Sequence, residues 1–74
     1  MALARAHETY VRICLAGSLR TPAKVLSKLA MDGNSDVRRW VASNPNADDE
    51  ILNQLSKDSS DHVRDFHNQN PRLK

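Results

Sequence analysis

The chain repeats a pattern of residues every 26 positions, and this period constrains its fold more than any other feature. Val-Arg pairs mark the period at residues 11–12, 37–38 and 63–64. Further matches at the same spacing are Leu26 and Leu52, Leu29 and Leu55, Asp32 and Asp58, and Asn44 and Asn70. A period between about 20 and 50 residues is typical of solenoids, whose units bury their apolar faces against their neighbours. The sequence therefore predicts an all-α fold, a short α-α superhelix.

Local signals divide the central unit, residues 21–46, into two helices. Thr21 and Pro22 are typical of a helix start, with threonine as N-cap and proline at the first helical position. The first helix then carries an apolar stripe and ends at Gly33-Asn34; the stripe is Val25, Leu26, Leu29 and Ala30. The second helix begins near Ser35-Asp36 and ends at Asn44-Pro45, because a residue before proline avoids helical geometry. Its inward positions are Val37, Trp40 and Val41.

The flanking units follow the same plan in incomplete form. Asn46 is the predicted cap of the first helix of residues 47–74, and Val63 and Phe66 point inward from the second. In residues 1–20, we expect a shortened helix containing Leu3, followed by a helix over residues 9–17. The chain is therefore predicted to be one domain of three units, about 1–20, 21–46 and 47–74, each a helix-turn-helix.

The central unit resembles the leucine-rich repeat variant family. The matching residues are Thr21-Pro22, Leu26, Leu29-Ala30, Asp32, Val37-Arg38, Val41-Ala42 and Asn44-Pro45. The flanking units match less closely, since Ser18-Leu19 stands where the family has Asn-Pro. The resemblance implies a right-handed superhelix akin to HEAT and armadillo repeats. Family members with an iron-sulfur cluster carry it on a separate cysteine-rich segment, and a chain whose only cysteine is Cys14 cannot hold such a cluster within one protomer.

Composition indicates a small intracellular protein. With 74 residues and one cysteine, Cys14, the chain cannot form an intramolecular disulfide, which favours a reducing compartment, and we expect the cytoplasm. No apolar run approaches the roughly 18 residues that span a membrane. The net charge is +2, but basic residues concentrate in the first 31 positions and acidic residues in positions 32–65. This polarity is typical of a mixed solvated surface; the alternative is head-to-tail self-association or a polarised docking surface.

The arginines of the repeated Val-Arg pairs are the first candidate site. Arg12, Arg38 and Arg64 would stack one per unit and could grip phosphates or a carboxylate-rich partner. The favoured alternative is structural, because Asp32 and Asp58 precede Arg38 and Arg64 by six residues, across the turn between helices. In that case Arg38→Ala should cost about 1 to 3 kcal/mol of stability.

Other conspicuous residues favour structural roles. Trp40 shares its repeat position with Cys14 and Phe66, so all three are predicted to be buried between units. His62 and His67 are five residues apart, a spacing that does not place them on one helical face to bind a metal. The chain has no glycine-rich phosphate loop, so no cofactor, metal or catalytic chemistry is predicted.

A protein-interaction module is accordingly the leading functional hypothesis, because stacked helix pairs offer an extended surface. A homodimer through the N-terminal end is a further hypothesis, since Leu3, Ile13 and Leu15 lack polar replacements there. The alternative function is nucleic-acid binding through the basic N-terminal segment. The candidate contacts for a protein partner or a phosphate are Arg12, Arg20, Lys24, Arg38, Arg39 and Arg64.

Overall fold

The computed structural model describes the backbone of residues 2–73 and the side chains of residues 7–73. Within this range the chain is all-helical and contains no strand. The five α-helices are α1 (Ala2–Gly17), α2 (Ala23–Leu29), α3 (Ser35–Ala42), α4 (Asp49–Leu55) and α5 (Asp61–Asn68), and a 3₁₀ helix follows at Pro71–Leu73. The side chain of Leu3, invoked above for the N-terminal end, lies outside the described range. No helix of the described residues is long and apolar enough to cross a membrane.

Helices α2 to α5 form two pairs, and their starts differ in detail from the expectation. Helix α2 begins after Pro22, and Thr21 is not its cap: the buried Thr21 hydroxyl donates 2.6 Å to the Leu15 carbonyl. Helix α4 is capped by Asp48, whose carboxylate accepts from the Ile51 amide at 3.0 Å. Asn46, the predicted cap, does not cap α4. Asn34 caps α3 by accepting from the Asp36 amide at 2.7 Å.

The first unit departs most from the expected plan. Residues 2–17 form one continuous helix, α1, with no break into a shortened helix and a second helix. Helix α1 therefore has no preceding partner among the described residues, whereas α3 follows α2 and α5 follows α4.

The core lies where α3 packs between its neighbours. Helix α3 contacts α5 and α1 along its length, while α2 and α4 contact the helices that follow them. Most predicted inward positions are buried in one apolar cluster, including Leu26, Leu29, Val37, Val41, Ile51, Leu52, Leu55 and Val63. Val25 is a correction, because 37% of it is exposed. The domain is only 16 Å thick along its shortest axis.

Candidate functional site

Two of the repeated arginines link successive helix pairs. Arg12 Nε donates to Asp32 Oδ2 at 2.6 Å, and Arg38 Nε donates to Asp58 Oδ2 at 2.9 Å. Both links span 20 residues, so each arginine reaches the aspartate of the next pair, and we call these links the Arg-Asp ladder. The arginine also binds the preceding aspartate six residues back, but through its carbonyl: Arg38 Nη1 lies 2.7 Å from Asp32 O.

The aspartates of the Arg-Asp ladder also shape the turns between helices. Asp32 Oδ1 accepts from the Asn34 amide and Asp58 Oδ1 from the Ser60 amide, both at 2.9 Å. The side chain of Arg38 is 15% exposed and that of Asp58 is 10% exposed. Because one carboxylate organises its own turn and binds the neighbouring pair, the ladder couples local structure to packing.

Two buried asparagines form a second set of links, the Asn ladder. Asn44 Nδ2 donates to the Ala16 and Ser18 carbonyls, both at 2.8 Å. Asn70 Nδ2 donates in the same way to Ala42 O at 2.8 Å and Asn44 O at 2.9 Å. Each amide thus supplies a donor to one buried carbonyl near the end of α1 or α3, Ala16 O or Ala42 O, that burial keeps from water. It adds a second donor to Ser18 O or Asn44 O, which already accept from the Thr21 and Ala47 amides.

The Oδ1 atoms of the Asn ladder also organise the turns that follow. Asn44 Oδ1 accepts from the Asn46 amide at 2.8 Å, and Asn70 Oδ1 accepts from the Arg72 amide at 2.9 Å. The Asn46 side chain is not a helix cap, because its amide donates to the Leu19 and Thr21 carbonyls. Asn46 therefore adds a third point of attachment between these turns.

The three repeated arginines among the predicted contact residues already have partners within the protein. Three of the five Arg38 N–H groups donate to Asp58 and Asp32, and Arg12 is paired with Asp32. Arg64 donates to the Asp58 carbonyl and pairs with Asp61 of its own helix, whose side chain is 85% exposed. These contacts support a structural role for Arg38, whose side chain is 15% exposed, whereas the side chains of Arg12 and Arg64 are 37% and 41% exposed.

Trp40 lies at the surface rather than in the core, which corrects the sequence prediction. It is 37% exposed, and its ring meets the Phe66 ring edge to face with centroids 5.5 Å apart. The Arg39 guanidinium carbon lies 5.8 Å from the Trp40 centroid and 5.3 Å from that of Phe66. Trp40 also packs beside Gly17 of α1. We call Arg39, Trp40 and Phe66 the aromatic cluster.

Arg39 is less fully engaged than the ladder arginines. Asp36 Oδ1 lies 3.5 Å from Arg39 Nε, but Nε is buried and makes no hydrogen bond with the described residues. Both members of this ion pair remain open to solvent, Arg39 at 31% and Asp36 at 55% of the side chain. Of the predicted contacts, Arg39 is the one that lies against aromatic rings while part of its side chain stays exposed.

The remaining predicted cations lie on and before α2. Arg20 and Lys24 are exposed, and neither forms an ion pair with a described residue. Lys28 lies one turn after Lys24 on the same helix and is also exposed and unpaired within that range. The corresponding positions of α4 are Glu50 and Gln54, so α2 presents a basic surface where α4 does not.

Cys14 is a further correction, since its thiol is free and exposed rather than buried at the tryptophan position. Within residues 7–73 no group of three or more His, Cys, Asp or Glu side chains could hold a metal ion. The site therefore consists of two exposed surfaces, the aromatic cluster and the basic surface of α2, and of the two ladders that connect the helices.

Comparison with protein-family models found no match, and searches of curated proteins and of solved structures found no significant similarity.

Proposed function

We propose that the chain is a non-catalytic helical-repeat module for protein-protein interaction, a short right-handed solenoid of the leucine-rich repeat variant type located in the cytoplasm. The recurrence of the same contacts at 26-residue spacing supports this proposal: Asn44 and Asn70 donate to equivalent carbonyls, and Arg12 and Arg38 to equivalent aspartates. Units bounded near residues 20 and 46 account for both patterns. Such stacks hold a constant surface to which partners bind.

The aromatic cluster is the observation that carries the functional part of the proposal. Tryptophan and arginine are enriched among the residues that dominate binding energies. Here Trp40 keeps 37% of its surface exposed while Gly17 and Phe66 hold its ring in place. A ring held before binding loses little entropy on complex formation. The Arg39 guanidinium beside it offers a donor to a carboxylate or carbonyl of the partner.

Affinity capture from extract of the source cells tests this function. The tagged chain would be compared with Trp40→Ala, Arg39→Ala and the control Met31→Ala. Met31 is 75% exposed and lies in the turn between α2 and α3, outside the aromatic cluster. We expect a reproducible protein partner with the parent chain and with Met31→Ala, resistant to nuclease, and at least tenfold weaker capture by the cluster variants. Circular dichroism verifies that each variant is folded. Equal capture by all four proteins would exclude the aromatic cluster as the interface.

Nucleic-acid binding is the second candidate, and the exposed cations Arg20, Lys24 and Lys28 favour it. Three phosphate contacts would give log-log salt slopes between about −2 for a single strand and about −3 for a duplex. Lys24→Glu with Lys28→Glu should then abolish binding of labelled oligonucleotides at low salt. Capture that disappears on nuclease treatment, together with such a slope, would favour this function over protein binding.

A further inference from the structure

Helix α1 exposes two apolar residues at positions that are buried in α3. Val11 is 44% exposed and Leu15 is 43% exposed, whereas their equivalents Val37 and Val41 are fully buried. A shallow depression lined by His7, Glu8, Val11 and Arg12 lies on the same helix. We call Val11, Arg12 and Leu15 the α1 outer face. Its apolar part is exposed, whereas the equivalent surface of α3 is buried.

The surroundings of Val37 and Val63, the equivalents of Val11, identify the helix that is missing beside α1. Val63 of α5 is fully buried although no described helix pair follows it, so the cover at this position comes from the preceding side. For α3 that side includes α2, whose Leu26 and Leu29 share the core cluster with Val37 and Val41. Helix α1 has no such preceding helix among the described residues.

The hydrogen bonds of the repeated arginines indicate which kind of helix would cover the α1 outer face. In the other two pairs, Nη1 of the repeated arginine donates to a carbonyl just after the first helix of the pair, Asp32 O for Arg38 and Asp58 O for Arg64. Arg12 keeps its Asp32 contact through Nε, but its Nη1 has no hydrogen-bond partner in residues 7–73. The donor that binds the end of a first helix is present without its acceptor.

A preceding second helix, or the C-terminal end of another copy stacked head to tail, fits less well. Such a neighbour would use the aspartate and asparagine positions of the two ladders. In the first unit these positions hold Ala6 and Ser18, which lack the carboxylate and the amide. The first unit therefore lacks the side chains that would contact a preceding pair. It keeps the residues that would contact a first helix, namely Val11, Leu15 and the Arg12 donor.

We propose that the α1 outer face binds an amphipathic helix of a partner protein in the way that α3 binds α2. Two leucine-like residues three positions apart pack on Val11 and Leu15, and a main-chain carbonyl beyond the helix end accepts from Arg12 Nη1. This inference rests on the proposed role as an interaction module but uses a surface separate from the aromatic cluster. The homodimer predicted from the sequence is the competing occupant.

A peptide of residues 47–60 from this chain is the probe, because it contains a first helix with its own Asp48 cap and the apolar residues Leu52 and Leu55. Its binding to the full chain would be followed by fluorescence anisotropy of a labelled peptide. We expect saturable binding of one peptide per chain, weakened at least tenfold by Val11→Asp and by Leu15→Asp. The control Leu73→Asp changes a residue of similar exposure, 49%, near the other end of the chain and should bind normally.

Several results would overturn the inference. One is the absence of saturable binding up to about 1 mM peptide. Another is that a peptide with serine at both leucine positions binds as tightly as the original peptide. A third is that the Val11→Asp and Leu15→Asp variants both bind the peptide as tightly as the parent chain. Sedimentation of the chain alone addresses the competing occupant: a dimer that Val11→Asp dissociates assigns the face to a second copy. Both variants change exposed positions, and circular dichroism establishes that they fold. Failure of peptide binding leaves the capture experiment on Trp40 unaffected.

Discussion

Replacing Arg38 by alanine tests whether the Arg-Asp ladder stabilises the fold. Arg38 makes two hydrogen bonds to Asp58, at 2.9 and 3.2 Å, and one to the Asp32 carbonyl at 2.7 Å. Hydrogen bonds to charged groups contribute about 1.5 to 3 kcal/mol each, and removing one partner of a buried ion pair costs about 3 to 5 kcal/mol. Because the Arg38 and Asp58 side chains retain 15% and 10% exposure, we expect a loss of about 3 kcal/mol.

Urea unfolding followed by far-ultraviolet circular dichroism measures this loss, which corresponds to a decrease in Tm of about 12 to 24 °C in a domain of this size. Arg38→Lys should recover only part of the stability, since an ammonium cannot reproduce the planar two-point contact. Arg64→Ala is the matched control at the next repeat position and should cost only about 1 kcal/mol, because its partner Asp61 is solvated. A loss at Arg38 no greater than at Arg64 would refute the reasoning.

Three further substitutions test other contacts by the same unfolding measurement. Asn44→Ala should cost about 2 kcal/mol because it leaves the buried Ala16 carbonyl unpaired, whereas Ser18 O keeps the Thr21 amide; Asn44→Asp should be no better because a carboxylate cannot donate to Ala16 O, and full stability in either variant would contradict the Asn ladder. Gly17→Ala should raise stability by about 0.5 kcal/mol, since the new Cβ lies 3.6 Å from Trp40 Cε3 and helix propensity improves; a loss above about 1 kcal/mol would indicate a clash. Trp40→Ala should cost about 2 kcal/mol, less than a fully buried tryptophan, and complete unfolding would show that its exposure underestimates its role.

The helical pattern was predictable because apolar spacing reports directly on which residues face inward. Leu26, Leu29, Val37 and Val41 are all buried as their spacing indicates. Trp40 has the same i, i+3 relation to Val37, yet it lies at the edge of the buried face and remains partly exposed. Periodicity identifies a face but does not tell where the face ends, because that boundary depends on the neighbouring helix.

The partners within the ladders could not be read from the sequence. Asp32 and Asp58 both recur with the 26-residue period, so a contact from Arg38 to either one would repeat equally well. The structure uses the carbonyl of one and the carboxylate of the other. The equivalence of Asn44 and Asn70 was visible, but their amides reach carbonyls 26 and 28 residues earlier, and only the packing of helices α1, α3 and α5 brings those atoms together.

The two ladders attach each second helix to its neighbour at opposite ends. Between α3 and α5, the Arg38 link to Asp58 lies at the start of the helices and the Asn70 link to Ala42 at their finish. On α3 the two attachments lie four residues apart, at Arg38 and Ala42. On the other side they lie before and after α5, an eight-residue helix about 12 Å long. Attachment at a single point would let α5 pivot like a hinge, whereas attachment at two points resists both rotation and sliding. Trp40 and Phe66 lie on these two helices, so the two attachments also hold their rings at a fixed spacing when a partner binds.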